Sequence, residues 1–142
     1  MQESTPGYPA NEDGLRDALA ALERDATHIG FAAQTRAKLL LVTEELYTNT
    51  LHHGTTGSGA RIYVRVVRAD ANAALSFEDE GPPYDPFAAV QAHERTAALD
   101  VPVEDRPVGR LGIVLIQGLA VTARYLRKPG RNRIDVVIAD QQ

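Results

Sequence analysis

Two segments that alternate between apolar and polar residues, 61–68 and 74–79, constrain the fold of this chain more than any other feature. Period-two alternation is typical of β-strands that bury one face, and residues 70–72 between the segments form the predicted turn of an antiparallel hairpin. The residues on the apolar face are Ile62, Val64 and Val66 in the first segment and Leu75 and Phe77 in the second. The same alternation puts Asp79 on that face, at the very end of its strand.

Segments with helical periodicity lie before and after this hairpin. Residues 14–29 carry apolar side chains at helical spacing, with Asp13 as the predicted cap and Gly30 as the stop. The same reasoning predicts a second helix from Ala33 or Gln34 to Gly54, a short buried helix at 112–120 and a closing hairpin of strands at 121–128 and 133–139. Residues 87–109 form a long, partly helical connection of the kind that often acts as a lid.

The order of these elements predicts an α/β (α+β) two-layer sandwich, with helices packed on one face of a largely antiparallel, mixed sheet. We expect residues 1–14 to be a flexible lead-in without a strand, because they lack periodicity and contain Pro6, Gly7 and Pro9. Residues 15–142 are long enough for one domain with a single core.

Composition and charge exclude several classes of function. The formal charge of -4 and the pI near 5.5 do not predict nucleic-acid binding, which calls for a basic face. The chain has no cysteine, which excludes disulfides, thiolate catalysis and cysteine-ligated metals. No apolar run is long enough to span a membrane, and the N-terminus lacks the pattern of a signal peptide, so we expect a cytoplasmic protein.

A carboxylate and a carboxamide share one face of the predicted second helix. Asn49 follows Glu45 by four positions, about one helical turn, so the two side chains are neighbours on one face. This face continues a partly apolar stripe. Such groups are costly to bury unless a polar ligand joins them, and a magnesium ion with a row of phosphates would satisfy both. A surface helix with a solvated glutamate is the alternative interpretation.

Two further short motifs follow at the end of a strand and the start of a helix. Asp79 can accept a hydrogen bond from an exocyclic amine such as that of adenine, and Gly81 lets the backbone approach a flat ring; a proline-rich turn is the alternative. Gly109 and Gly112 precede and open a helix whose free N–H groups favour an anion such as phosphate. Arg110 between them either reaches a phosphate or faces water.

Together, three stretches in this order resemble the N, G1 and G2 boxes of the GHKL (Bergerat-fold) ATPases: Glu45 to Gly54, Asp79-x-Gly81-x-x-Tyr84-Asp85-Pro86, and Gly109-x-Leu111-Gly112-Ile113. Within that superfamily the chain most resembles the bacterial anti-sigma-factor serine/threonine kinases, whose closing hairpin is similar to residues 125–134. The resemblance covers roughly residues 15–138. It implies ATP and Mg²⁺ as cofactors.

The resemblance also implies a role for particular residues. Glu45 matches the general base, Asn49 the magnesium ligand, and Asp79 the aspartate that reads adenine. The remaining positions that it places around the nucleotide are His53, Gly81, Tyr84, Gly109, Arg110, Leu111 and Gly112, with residues 87–109 as the ATP lid. The chain departs from the pattern at Arg110, where many relatives have glycine, at Val121, where they have aspartate, and in lacking an evident first strand.

The leading hypothesis is therefore an ATP-dependent protein serine/threonine kinase of the anti-sigma-factor type. The resemblance implies a STAS-type anti-sigma antagonist as its substrate and a sigma factor as its second partner, with no direct nucleic-acid or membrane contact; it leaves a homodimer open. A non-catalytic, nucleotide-dependent interaction module is the second hypothesis, and an unrelated α/β domain is the third.

Overall fold

The computed structural model describes residues 5–53, 59–90 and 110–140. The strands are β1 (Gly7–Pro9), β2 (Arg61–Ala69), β3 (Asn72–Asp79), β4 (Thr122–Lys128) and β5 (Arg131–Ala139), and the helices are α1 (Glu12–Ile29), α2 (Ala33–His52) and α3 (Arg110–Leu119), with a further helical segment at 86–90. The five strands form one sheet in the order β1-β2-β3-β5-β4, and every neighbouring pair is antiparallel. The predicted α/β two-layer fold is confirmed. Within the described ranges, no helix is both long and apolar enough to cross a membrane.

The N-terminal segment differs from the prediction, because residues 7–9 pair with β2 as a strand and are not part of a loose lead-in. Asn11, rather than Asp13, caps α1, since its side chain accepts a hydrogen bond from the backbone N–H of Gly14 at 2.8 Å. The hydroxyl of Tyr47 donates to the carbonyl of Pro9 at 2.5 Å and so ties β1 to α2. A three-residue strand with a glycine and a proline has a loop-like sequence, which is why its pattern is not visible.

Helix α2 is capped by a residue from the far end of the chain. Its N-cap, Ala32, has no side chain able to bond the helix. Instead Oδ1 of Asp140 accepts from the backbone N–H of Ala32 at 3.0 Å and from Oγ1 of Thr35 at 2.8 Å, and Oδ2 pairs with Arg68 at 3.1 Å. The backbone hydrogen bond from Ala32, with the bonds from Thr35 and Arg68, holds the pKa of Asp140 below its usual value. The helix that carries the predicted base is thus fixed to the sheet at its start.

The core lies between the helices and one face of the sheet. It includes the predicted inward residues Ile62, Val64, Val66, Leu75 and Phe77, together with Ile134, Val136 and Ile138 from β5. Helix α3 corrects the expectation of a buried helix, because Ile113 and Ile116 are buried whereas Leu111 is 81% exposed. The predicted stop at Gly54 and most of the predicted lid lie outside the described residues.

Candidate nucleotide-binding site

The predicted base and metal ligand, Glu45 and Asn49, are both side chains of α2. Asn49 is 5% exposed and Glu45 is half-buried. In the part of the chain that the structure describes, no hydrogen bond or ion pair joins either side chain to another residue. Solvent still reaches the amide of Asn49, because among the described residues only Oγ1 of Thr43 is a fully buried, unbonded side-chain polar atom. Both groups are therefore available to a ligand.

The start of α3 lies directly against Glu45. A β-carbon added to Gly112 would overlap Oε2 of Glu45 and lie 2.7 Å from its Cδ. Glycine at this position therefore allows the first turn of α3 to approach the carboxylate. The free N–H groups of a first helical turn favour anions, and here they lie beside the carboxylate that the motifs assign as the base. Gly109 and the side chain of Arg110 lie outside the described residues.

Asp79, which the motifs match to the adenine-reading aspartate, lies at the end of β3 and is 6% exposed. The alternation of β3 puts it on the buried face, as predicted from the sequence. Its Oδ1 accepts hydrogen bonds from the backbone N–H of Gly81 at 2.8 Å and from Nδ2 of Asn132 at 3.0 Å. Two donors on one oxygen fix the plane of the carboxylate before any ligand arrives.

Asn132 is the residue of this site that the sequence reasoning missed. It pairs directly with Asp79 in the β3–β5 ladder and is 4% exposed. Its Nδ2 also donates to the carbonyl of Pro82 at 2.8 Å, and its Oδ1 accepts from the backbone N–H of Tyr84 at 3.1 Å. Oδ1 further accepts from the hydroxyl of Tyr125 at 2.6 Å and from Nη1 of Arg127 at 3.2 Å. The alternation of β5 could have revealed it, because Asn132 shares the inward face of Ile134, Val136 and Ile138.

A second contact joins the end of α2 to the loop after β3. The rings of His53 and Tyr84 stack with their centroids 4.3 Å apart, and Nε2 of His53 lies 3.2 Å from the hydroxyl of Tyr84. Burial, and then the neighbouring His52, lowers the pKa of His53, so its ring is neutral at pH 7. Burial, and then Asp85, raises the pKa of Tyr84. The structure thus brings Glu45, Asn49 and His53 to one side of the site, and His53 meets Tyr84.

Asp85 acts as a helix cap. Its Oδ1 accepts from the backbone N–H groups of Phe87 at 3.0 Å and Ala88 at 3.2 Å, and Pro86 occupies the first helical position. The Asp-Pro pair of the second motif therefore starts the helical segment at 86–90.

Comparison with known proteins identifies the family of the chain. Residues 8–138 match the family described as the histidine kinase-like ATPase domain. The chain belongs to this family. The resemblance that the three motifs carry is therefore confirmed at the level of the family. A comparison with curated protein sequences gave no match.

Solved structures show the same fold at low sequence identity. The RsbU and RsbW domains of a Mycobacterium tuberculosis protein align over 97% of this chain with 16% identity and a TM-score of 0.60, and the alignment spans 33% of that longer chain. A chain of the SiaB–SiaC complex from Pseudomonas aeruginosa aligns over 95% of this chain and 88% of its own length, with 13% identity and a TM-score of 0.64. A histidine kinase domain from Erythrobacter litoralis aligns over 99% of this chain and 65% of its own length, with 16% identity and a TM-score of 0.52.

The side chains of this histidine kinase-like ATPase domain fit an adenine nucleotide with magnesium. Asn49 offers the oxygen ligand that Mg²⁺ prefers, and magnesium usually takes only one or two protein ligands together with substrate phosphates. The described residues contain no group of three or more acidic or histidine side chains that could hold a metal alone. Any metal held by these residues would therefore depend on the phosphates of the substrate for its remaining ligands.

Proposed function

We propose that the chain is an ATP- and magnesium-dependent protein serine/threonine kinase of the anti-sigma-factor type. It would phosphorylate a STAS-type anti-sigma antagonist and bind a sigma factor in a partner switch. The observation that carries the proposal is the placement of Glu45. This carboxylate has no partner within residues 5–53, 59–90 and 110–140, shares a helix face with Asn49 and lies against the first turn of α3.

At the adenine end, Asp79 would select the base. Its carboxylate, held by Gly81 and Asn132, would accept a hydrogen bond from the amino group of adenine. Guanine carries a carbonyl acceptor at the equivalent position, and two facing acceptors cost about 1–3 kcal/mol when buried. We therefore expect a preference for adenine over guanine nucleotides.

At the phosphate end, Asn49 would hold magnesium, which supplies charge neutralisation on the phosphates when it is bound. Glu45 would accept the proton of the serine or threonine hydroxyl of the protein substrate. The hydroxyl oxygen forms a bond to the γ-phosphorus, the bond from that phosphorus to the bridging oxygen breaks, and ADP leaves. The first turn of α3 would direct its N–H groups towards the transferred phosphate.

The choice of protein substrate is supported by the motifs and by the fold. The spacing of the three motifs resembles the anti-sigma-factor kinases, and one of the solved structures with the same fold contains an RsbW domain. A second contains SiaB in a complex with SiaC. These likenesses support a protein partner as the phosphate acceptor.

The deciding experiment compares Glu45→Gln with Glu44→Gln. Glu44 is the adjacent, exposed carboxylate and serves as the matched control. A general base contributes about a hundredfold to ten-thousandfold in rate, so transfer of labelled phosphate to the antagonist should fall by that factor in Glu45→Gln only. Calorimetry should show that both variants still bind ATP with magnesium.

Two outcomes would change the conclusion. If the folded wild-type protein binds ATP and the antagonist but transfers no phosphate, the domain is a nucleotide-dependent interaction module, and the residues to test next are Arg110 and Val121. If it binds no adenine nucleotide, the proposal fails at its first step.

A further inference from the structure

The face of the sheet that points away from the nucleotide site has a charge opposite to that of the whole chain. The chain carries a formal charge of -4. The strand register places six basic side chains and two acidic ones on the open face. The basic residues are Arg61, Arg65, Arg124, Lys128, Arg131 and Arg133, and the acidic residues are Glu78 and Asp135. Glu80, just after β3, adds a carboxylate at the rim, where it accepts from the hydroxyl of Tyr63 at 3.0 Å.

The two carboxylates of this open face are already paired within it. Glu78 lies 3.3 Å from Nζ of Lys128 and 3.7 Å from a guanidinium nitrogen of Arg131, and Asp135 pairs with Arg133 at 2.9 Å. Across the described residues, neither Arg65 nor Arg124 has an ion-pair partner, and both are exposed. The open face therefore keeps a surplus of positive charge that its own acidic groups do not neutralise.

The open face also contains a groove with an apolar component. The groove has a volume of about 370 Å³ and runs over β3 between β2 and β5. Its charged lining residues are Arg65, Arg133, Glu78 and Asp135, and small or apolar side chains, among them Val67 and Val137, lie between them. In the parts of the chain that are described, the helices pack against the other face of the sheet, which carries the core. A mixture of apolar and charged groups is typical of a protein–protein interface.

We propose that this open face binds an acidic segment of another protein. Charge complementarity carries the assignment, because Arg65 and Arg124 place on this face positive charges that no described acidic group pairs. A second copy docked by the same face would bring like charges together, which is unfavourable. A nucleic acid is a poorer match, since the chain as a whole is acidic and the ring of Tyr63 is already covered by Arg131 at 3.9 Å.

The proposal is tested with a fluorescent synthetic peptide of alternating glutamate and valine, added to the nucleotide-free protein. The variant Arg65→Glu/Arg124→Glu should weaken binding by about tenfold at low salt, and by less at high salt. The matched control is Arg16→Glu/Arg24→Glu on α1, which has the same net charge and should bind as the wild type does. Arg65→Gln/Arg124→Gln should give an intermediate affinity, and circular dichroism should show that all variants are folded.

Several outcomes would overturn the proposal. It fails if the α1 variant loses as much affinity as the open-face variant, because the effect would then follow net charge alone. It also fails if the peptide does not bind. A third contradicting result would be tighter binding of oligothymidylate or of phosphatidylserine vesicles than of the peptide, provided that this binding is lost in the Arg65→Glu/Arg124→Glu variant. None of these measurements involves ATP, so the result is independent of the proposed kinase activity.

Discussion

The two ends of the candidate site are built in opposite ways. At the end proposed to bind adenine, Asp79 and Asn132 bond to each other and to the loop at 81–84, so their polar groups are engaged without a ligand. At the end proposed to bind phosphate, Glu45 and Asn49 have no partner among the described residues, and Gly112 lies against the carboxylate. A network bonded internally contributes to folding stability, whereas groups that bond only to solvent contribute little to it and remain available to a ligand.

The largest effect is expected from Asn132→Ala. Removal of this amide leaves several buried or half-buried partners without a hydrogen bond, so the free energy of unfolding of the nucleotide-free protein should fall by about 2–4 kcal/mol. Urea denaturation measures the change. Asn72→Ala, at the other end of β3, is the matched control and should cost under about 0.5 kcal/mol. An equal free energy of unfolding for both variants would mean that the hydrogen bonds of Asn132 do not stabilise this end of the site.

Gly112→Ala tests the phosphate end and should affect activity more than stability. The added β-carbon meets the end of the flexible Glu45 side chain, which can rotate away, so unfolding should change by less than about 1 kcal/mol. The displaced base should lower phosphate transfer by about a hundredfold. Gly118→Ala, in the same helix, has no neighbour within 4 Å at its β-carbon and should leave transfer unchanged. Transfer at the wild-type rate by Gly112→Ala would contradict the placement of the base.

The smallest effect concerns His53, which links the two ends through Tyr84. Because the pKa of His53 is lowered below its ordinary 6.5 in the folded state, the unfolded chain takes up the proton first as pH falls. The free energy of unfolding should therefore decrease as the pH drops below 6.5. Above pH 6.5, His53 should not change it. Thermal unfolding of His53→Gln should show less of this decrease than the wild type. The exposed neighbour His52 provides the control, and an identical pH dependence in His52→Gln would contradict the assignment.

Much of the fold could be predicted from local pattern. The strands at 61–69 and 72–79, the helix at 33–52 and the inward position of Asp79 follow from periodicities of two and 3.6 residues, which reflect the faces that each element buries. The exposed side of α3 was not predicted, because a continuous run of apolar residues does not show which of them contact the core. Strand β1 was missed because its pairing with β2 is made across more than fifty residues of sequence.

The sequence by itself determined the elements other than β1, their order and the residues that make up the three motifs, because these depend on residue type and short spacing. Only the tertiary structure decided which distant residues complete them. Asp140 caps α2 from just beyond the last strand, and Asn132 holds Asp79 across the β3–β5 ladder. Gly112 leaves room for the side chain of Glu45 where α3 packs against α2. Such contacts depend on strand register and helix packing, which bring together groups whose separation along the chain carries no local signal.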